Sequence, residues 1–171
     1  GRRVLGISDA DFAVDLASDG LRGALLNGQF VGPDFGEAIE IEGTANVKFN
    51  STSATSLAVP TDAGDVDVTL LAANPDAPYL FVGLTDSPVL RVLGAAITAT
   101  DFTLERQTID GEIVTGITAT DILASLGDPT TPVITLGAAT GDLVIRQPGI
   151  KAEITGMTVG GTLADLPPTI T

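Results

Sequence analysis

The sequence predicts an all-β fold: antiparallel hairpins in two related units, forming a two-sheet sandwich or an extended sheet stack, with a β-solenoid as the alternative. Three observations carry this prediction. Apolar and polar residues alternate with period two through several runs, tight-turn dipeptides punctuate those runs, and the second half of the chain loosely rewrites the first. Period two sends successive side chains to opposite faces of a sheet. Tight Asx-Gly turns favour hairpins, which places the solenoid second.

The clearest alternating runs are FAVDL at Phe12–Leu16, EAIEIEGTANVKF with Ile39 and Ile41 on one face and Glu40 and Glu42 on the other, and DVDVTLL at Asp65–Leu71. Val, Ile and Thr are abundant, as a pleated surface prefers. Asp19-Gly20, Asn27-Gly28 and Asp110-Gly111 each offer two residues that accept positive φ, the demand of a type I′ hairpin. QPGI at Gln147–Ile150 reads as a type II turn, with Pro148 setting φ and Gly149 in the left-handed position. Two segments carry helix signals. Ser8 and Asp11 stand at capping-box spacing ahead of Gly20, and Thr118 and Asp121 do so ahead of Gly127. In the second segment Ile122, Leu123 and Leu126 follow helical spacing and predict a helical turn or two.

The first segment reads as strand because of its repeat. ISDADFAVDL at Ile7–Leu16 aligns with ITATDFTLER at Ile97–Arg106, an offset of 90 residues, and the latter alternates as a strand does. Like units stack to share one core. The word ITATD also recurs at Ile97–Asp101 and Ile117–Asp121. The expected organisation is a first unit over 1–73, a Pro-containing connection over 74–89 (NPDAP), a second unit over 90–165, and a linker over 166–171 that opens with the Pro-rich LPPT.

Composition removes whole classes of function. The 8 basic residues against 22 acidic ones leave a net charge of −14 at pH 7, which repels phosphate backbones and anionic membranes and excludes a nucleic-acid partner. No apolar run approaches the length of a spanning helix, so no membrane insertion is expected. Without Cys or His there is no disulfide, zinc or haem ligation, and no Ser-His or Cys-His nucleophile pair. Two carboxylates can hydrolyse a glycoside, but 22 acids single out no pair, and a chain with one Tyr and no Trp lacks an aromatic platform for sugar. The expectation is no enzyme, no catalytic residue and no cofactor.

One acidic set stands out for hard-cation binding, which wants several carboxylate oxygens. Asp62, Asp65 and Asp67 lie in TDAGDVDV, with Asp65 and Asp67 on one strand face behind a Gly-containing turn; calcium is the ion such a site would hold. Asp9, Asp11 and Asp15 form a second set. Charged side chains are mostly solvated, and a solvated face is the plainer reading of both. Lys48 shares a strand face with Asn50 and reads as an edge-strand charge that discourages aggregation.

The run PVLRVLGAAITATDFTLERQ, followed by GEIVTGITATDILASLGD and VITLGAATGDLVIRQPGIKAEITG, resembles the long repeats of giant bacterial β-strand-repeat surface proteins. The matching positions are Leu90–Val92, Gly94, Phe102, Leu126–Asp128, Thr140–Ile145 and Gly149–Gly156, and the first fifty residues look like a preceding unit. The resemblance implies an extracellular or cell-surface location and a structural or adhesive role. Its partners would be neighbouring repeats of the same protein, or further copies joined through edge strands, assembling end to end. A polysaccharide-binding β-module is the alternative function. The opening GRRVLG, without Met, is what a segment cut from a longer chain would show.

Overall fold

The computed structural model describes residues 6–31, 39–92, 95–128, 131–146 and 149–160. They form strands throughout: β1 (Gly6–Ser8), β2 (Asp11–Ala17), β3 (Gly20–Val31), β4 (Ile39–Asn50), β5 (Ser56–Thr61), β6 (Gly64–Thr69), β7 (Tyr79–Val92), β8 (Ala95–Thr98), β9 (Asp101–Ile109), β10 (Glu112–Asp128), β11 (Thr131–Arg146), β12 (Gly149–Thr155) and β13 (Thr158–Gly160). Strands β5 and β6 make a separate hairpin, and the other eleven form one sheet. All pairings are antiparallel, as the turn chemistry predicts.

Three pairs of consecutive strands act each as one interrupted strand, both members lying along the same neighbours: β1/β2 along β3, β8/β9 between β7 and β10, and β12/β13 along β11. The sheet is therefore a meander of eight strand paths in chain order: β1/β2, β3, β4, β7, β8/β9, β10, β11 and β12/β13. Registers align one apolar row straight across it. Phe12 faces Leu25, Leu25 faces Val47, Val47 faces Val82, Val82 faces Leu104, Leu104 faces Ile117, and Ile117 faces Leu143. Opposite side chains on one face are the contact unit of a sheet, so this row ties all the paths together. The other face carries the polar partners of the same strands, among them Asp15, Lys48, Glu105 and Lys151.

A crease crosses the sheet at one level. Positive φ occurs at Asp9 (53°), Asn27 (57°), Gly43 (127°), Asp86 (61°), Ser87 (55°), Asp121 (48°) and Gly156 (64°). The register shifts there between β3 and β4 (Leu25/Gly28) and between β4 and β7 (Glu42/Thr44). The break between β8 and β9 sits alongside: the Ala99 N–H donates to Pro88 O at 3.2 Å and the Thr100 N–H to Thr120 O at 2.9 Å. Asx and Gly residues tolerate the left-handed region where β-branched residues do not, which is why they mark the line. At Gly156 a Cβ would come within 2.8 Å of the Ala139 Cβ.

These facts correct four expectations. Asn27-Gly28 is no hairpin turn but a bulge within the twelve-residue β3. Ile122, Leu123 and Leu126 belong to strand β10, not to a helical turn. Lys48 lies on β4, paired on both sides, so it is no edge charge; its Nζ stands 5.3 Å from the Phe81 ring centre. Most of the expected 74–89 connection is the start of β7, an interior strand that joins β4 to β8 and β9. Asp110 and Gly111 do form the predicted hairpin, both at positive φ (52° and 81°). The β2–β3 turn closes one residue early, at Ser18-Asp19, with Ala17 facing Gly20. Of the predicted turn at Gln147–Ile150, Gln147 and Pro148 lie outside the described residues, as does the 166–171 linker.

The compact core lies where the β5–β6 hairpin covers one end of the sheet. Leu57, Val59, Val68 and Leu70 pack on Ala24 of β3, with Ala13 and Leu26 against them. A polar clasp holds the hairpin there. Asn50 is fully buried and fully satisfied: its Nδ2 donates to Ala54 O (2.8 Å) and Leu71 O (2.7 Å), and its Oδ1 accepts from the Thr52 N–H (2.9 Å) and hydroxyl (2.8 Å). Next to it, the Ser51 N–H and hydroxyl both donate to Leu21 O, and the Ser51 Oγ accepts from the Leu21 N–H. Gly20 passes so close that a Cβ would sit 2.5 Å from Ser51 O. Arg22 completes the clasp, donating to the Asp15 carboxylate and to Ser56 O at 3.1 Å.

Beyond the hairpin the sheet has no second layer among the described residues. Among the described residues eight apolar side chains are buried, whereas twenty large ones are exposed. Stability should accordingly be local. Asn50→Ala removes all four hydrogen bonds of a fully buried amide and orphans the buried Thr52 donors, and should cost about 3 kcal/mol. Val14→Ala, at a site 68 % exposed, should change stability by less than about 0.5 kcal/mol. Urea denaturation of the two variants measures both.

Candidate functional site

The described residues contain no cluster of three or more acids or other ligating groups placed to hold a metal ion. Asp62 lies in the Thr61–Gly64 turn, and Asp65 and Asp67 are exposed on β6, opposite Pro60 and Ala58. The predicted shared face of Asp65 and Asp67 exists, but the fold does not gather Asp62 with them. The second set is dispersed by other duties. Asp15 takes two donors from Arg22 at 2.5 and 2.8 Å, and Asp9 accepts from the Ser8 hydroxyl at 3.0 Å at the crease. Thr140, Gly141 and Asp142 of the small-residue run lie in β11, in an unbroken register with β10.

Among the described residues, two titratable groups depart from their ordinary values. Asp19 accepts from both the Ser53 N–H and its hydroxyl at 3.1 Å, and these bonds, the backbone one first, hold its carboxyl below the usual range. Tyr79 is only 6 % exposed. Burial first, then the charge of and hydrogen bond to Glu105, push its phenol from 10.0 up to about 12. A recess of about 90 Å³ adjoins it, lined by Leu71, Asn74, Ala77, Tyr79 and Gln107. Sites for small organic ligands run to several hundred Å³, so this recess suits a few waters.

What the fold does present is a pair of open sheet edges. Among the described residues, strands β1 and β2 bond only to β3, and β12 and β13 only to β11, which leaves one side of each without a partner strand there. Unpaired strand edges are templates for a further strand. Both carry bare apolar side chains: Phe12, Val14 and Leu16 at 65 %, 68 % and 81 % exposure, and Ile150 and Ile154 at 69 % and 59 %. The sequence reading expects association through edge strands but does not single out these strands, because nothing local distinguishes an outer strand from an inner one. No helix among the described residues is long and apolar enough to cross a membrane.

Two outcomes follow from this chemistry. With Asp65 and Asp67 solvated and Asp62 apart, millimolar calcium or a chelator should leave the melting temperature unchanged, because only an ion that prefers the folded state stabilises it. Tyr79 carries a pH dependence. Its folded pKa lies above its unfolded one, so the stability it confers is complete below pH 10 and is lost as pH rises towards about 12. In urea titrations across that window the native protein should lose stability more steeply than Tyr79→Phe.

No family model, no curated protein and no solved structure matches the chain. Its own edges and faces carry the functional reading.

Proposed function

We propose that this chain is a structural or adhesive, non-enzymatic module of a large exported bacterial protein, one that joins its neighbours end to end. The observation that supports this most is internal. Strands β1 and β2, split at Asp9-Ala10, and strands β8 and β9, split at Ala99-Thr100, share the plan of short strand, two-residue break and long strand. They do so 90 residues apart, with Phe12 and Phe102 at the same place in each. The second of these interrupted strands lies directly on β7, the last strand of the first half. On this reading, two like units lie edge to edge in one sheet. A unit joined in this way leaves equivalent edges at both ends, and further units fit them.

Export is testable on the cells that make the protein. Antibodies against the folded chain should label intact cells or the medium, and protease added outside should remove the cell-bound signal. Labelling that needs permeabilised cells would overturn the exported role.

A further inference from the structure

The two free edges match each other in detail. One is a strand of three residues, a break of two and a strand of seven: Gly6–Ser8, Asp9-Ala10, Asp11–Ala17. The other is a strand of seven, a break of two and a strand of three: Gly149–Thr155, Gly156-Met157, Thr158–Gly160. Laid antiparallel, the described residues of the two patterns coincide, with both breaks on the crease. Each break carries a positive-φ residue, Asp9 at 53° and Gly156 at 64°.

That single register also settles the side chains. It sets Phe12 against Ile154, Val14 against Ala152 and Leu16 against Ile150 on the apolar face. On the other face it sets Asp15 against Lys151, an opposite-charge pair. Registers one residue away would place the apolar set of one edge against the polar face of the other. An internal junction of the same kind exists between β7 and β9, where Leu84 faces Phe102 and Val82 faces Leu104. Phe12 and Val14 are the counterparts of Phe102 and Leu104 at the 90-residue offset.

We infer that the β12–β13 edge of one copy pairs antiparallel with the β1–β2 edge of a second copy, extending the sheet across the boundary in the register Phe12–Ile154, Val14–Ala152. This rests on the end-to-end reading above and gives it a specific joint. The contact is heterologous: each copy uses one edge as donor and keeps the other free, so copies add in a row. The partner is another chain of this kind, because the match lies in the interrupted outline as much as in the apolar surface. A general apolar ligand would have no use for the break at Asp9 or for Lys151.

The chain lacks Cys, so engineered thiols report the joint cleanly. Facing Cβ atoms on paired strands stand roughly 4.5–5.5 Å apart, close to disulfide reach. The single variants Val14→Cys and Ala152→Cys, both at exposed sites, are mixed and oxidised after circular dichroism confirms that each is folded. The mixture should give disulfide-linked dimers several-fold in excess of either variant alone and of the off-register mixture of Leu16→Cys with Ile154→Cys. Lys151→Glu, placed in the Ala152→Cys chain, should lower that yield several-fold by facing Asp15 with a like charge. Equal yields from the matched and off-register mixtures would overturn the joint. A Val14→Cys/Ala152→Cys chain that closes only on itself, as an internal disulfide in a monomer, would overturn it too. Surface labelling of cells alongside a failed crosslink would remove this joint and leave the exported module standing.

Discussion

Eight neighbouring strand paths have to bend at one level, or the ladder between them is lost. A break in a single strand shifts everything beyond it by a residue and turns its apolar side chains to the wrong face. In a sheet largely one layer thick, ladder bonds and cross-strand contacts are the main source of cohesion. The chain meets this constraint by placing Asx or Gly residues where most of the paths cross the crease: Asp9, Asn27, Gly43, Asp86 (with Ser87 beside it), Asp121 and Gly156. The recurrent word ITATD has its explanation here. One copy spans the gap between β8 and β9, the other ends on Asp121, and the two meet at their ends: Asp101 faces Thr120, and the Thr100 hydroxyl donates to the Asp121 carboxylate at 3.0 Å. The repeated letters are two halves of one bend.

The same chemistry explains what was legible in the sequence and what was not. Period two was sufficient for the strands, and Asp110-Gly111 was sufficient for its hairpin. Asn27-Gly28 misled because the left-handed conformation serves a bulge as readily as a turn. Only the behaviour of neighbouring strands at the same level decides between them, and that is not local information. Ile122, Leu123 and Leu126 misled for a related reason: a positive φ at Asp121 disturbs the alternation around it, and a disturbed period of two imitates a helical spacing. Buried Asn50 and Tyr79 had no local signal, since each is defined by partners far along the chain, Leu71 and Glu105. The acidic candidates are a different case. Carboxylates close in sequence are placed on one strand, a turn and an ion pair, and strand geometry spreads what a cation would need converged.

Charge is distributed so that it does not oppose assembly. On the long strands the apolar row from Phe12 to Leu143 occupies one face, while Asp15, Lys48, Glu105 and Lys151 occupy the other. The β5–β6 hairpin carries its exposed Asp65 and Asp67 on a separate two-stranded layer. A net charge of −14 disfavours random encounters between copies at a distance, but at the edges the local picture differs. One of the two lysines of the chain, Lys151, sits on β12 next to Glu153, within 3.4 Å of its carboxylate. The complementary edge offers Asp15, already held in place by Arg22. Long-range repulsion with a short-range match selects one register over the many that bare apolar strands would otherwise accept.

Natural sheets usually guard their edges with Pro, inward-pointing charge or very short strands. Here the guard is weak: each edge has a seven-residue strand with alternate apolar side chains more than half exposed. What discourages indiscriminate pairing is the interruption itself. A straight, unbroken strand laid on Gly6–Ala17 would keep its register to Asp11 and then meet Asp9 in the left-handed region, losing the last three positions. A strand broken at the same level loses none. The crease that lets the sheet bend as one thus also defines which strand can extend it, and fold and recognition rest on the same few Asx and Gly residues.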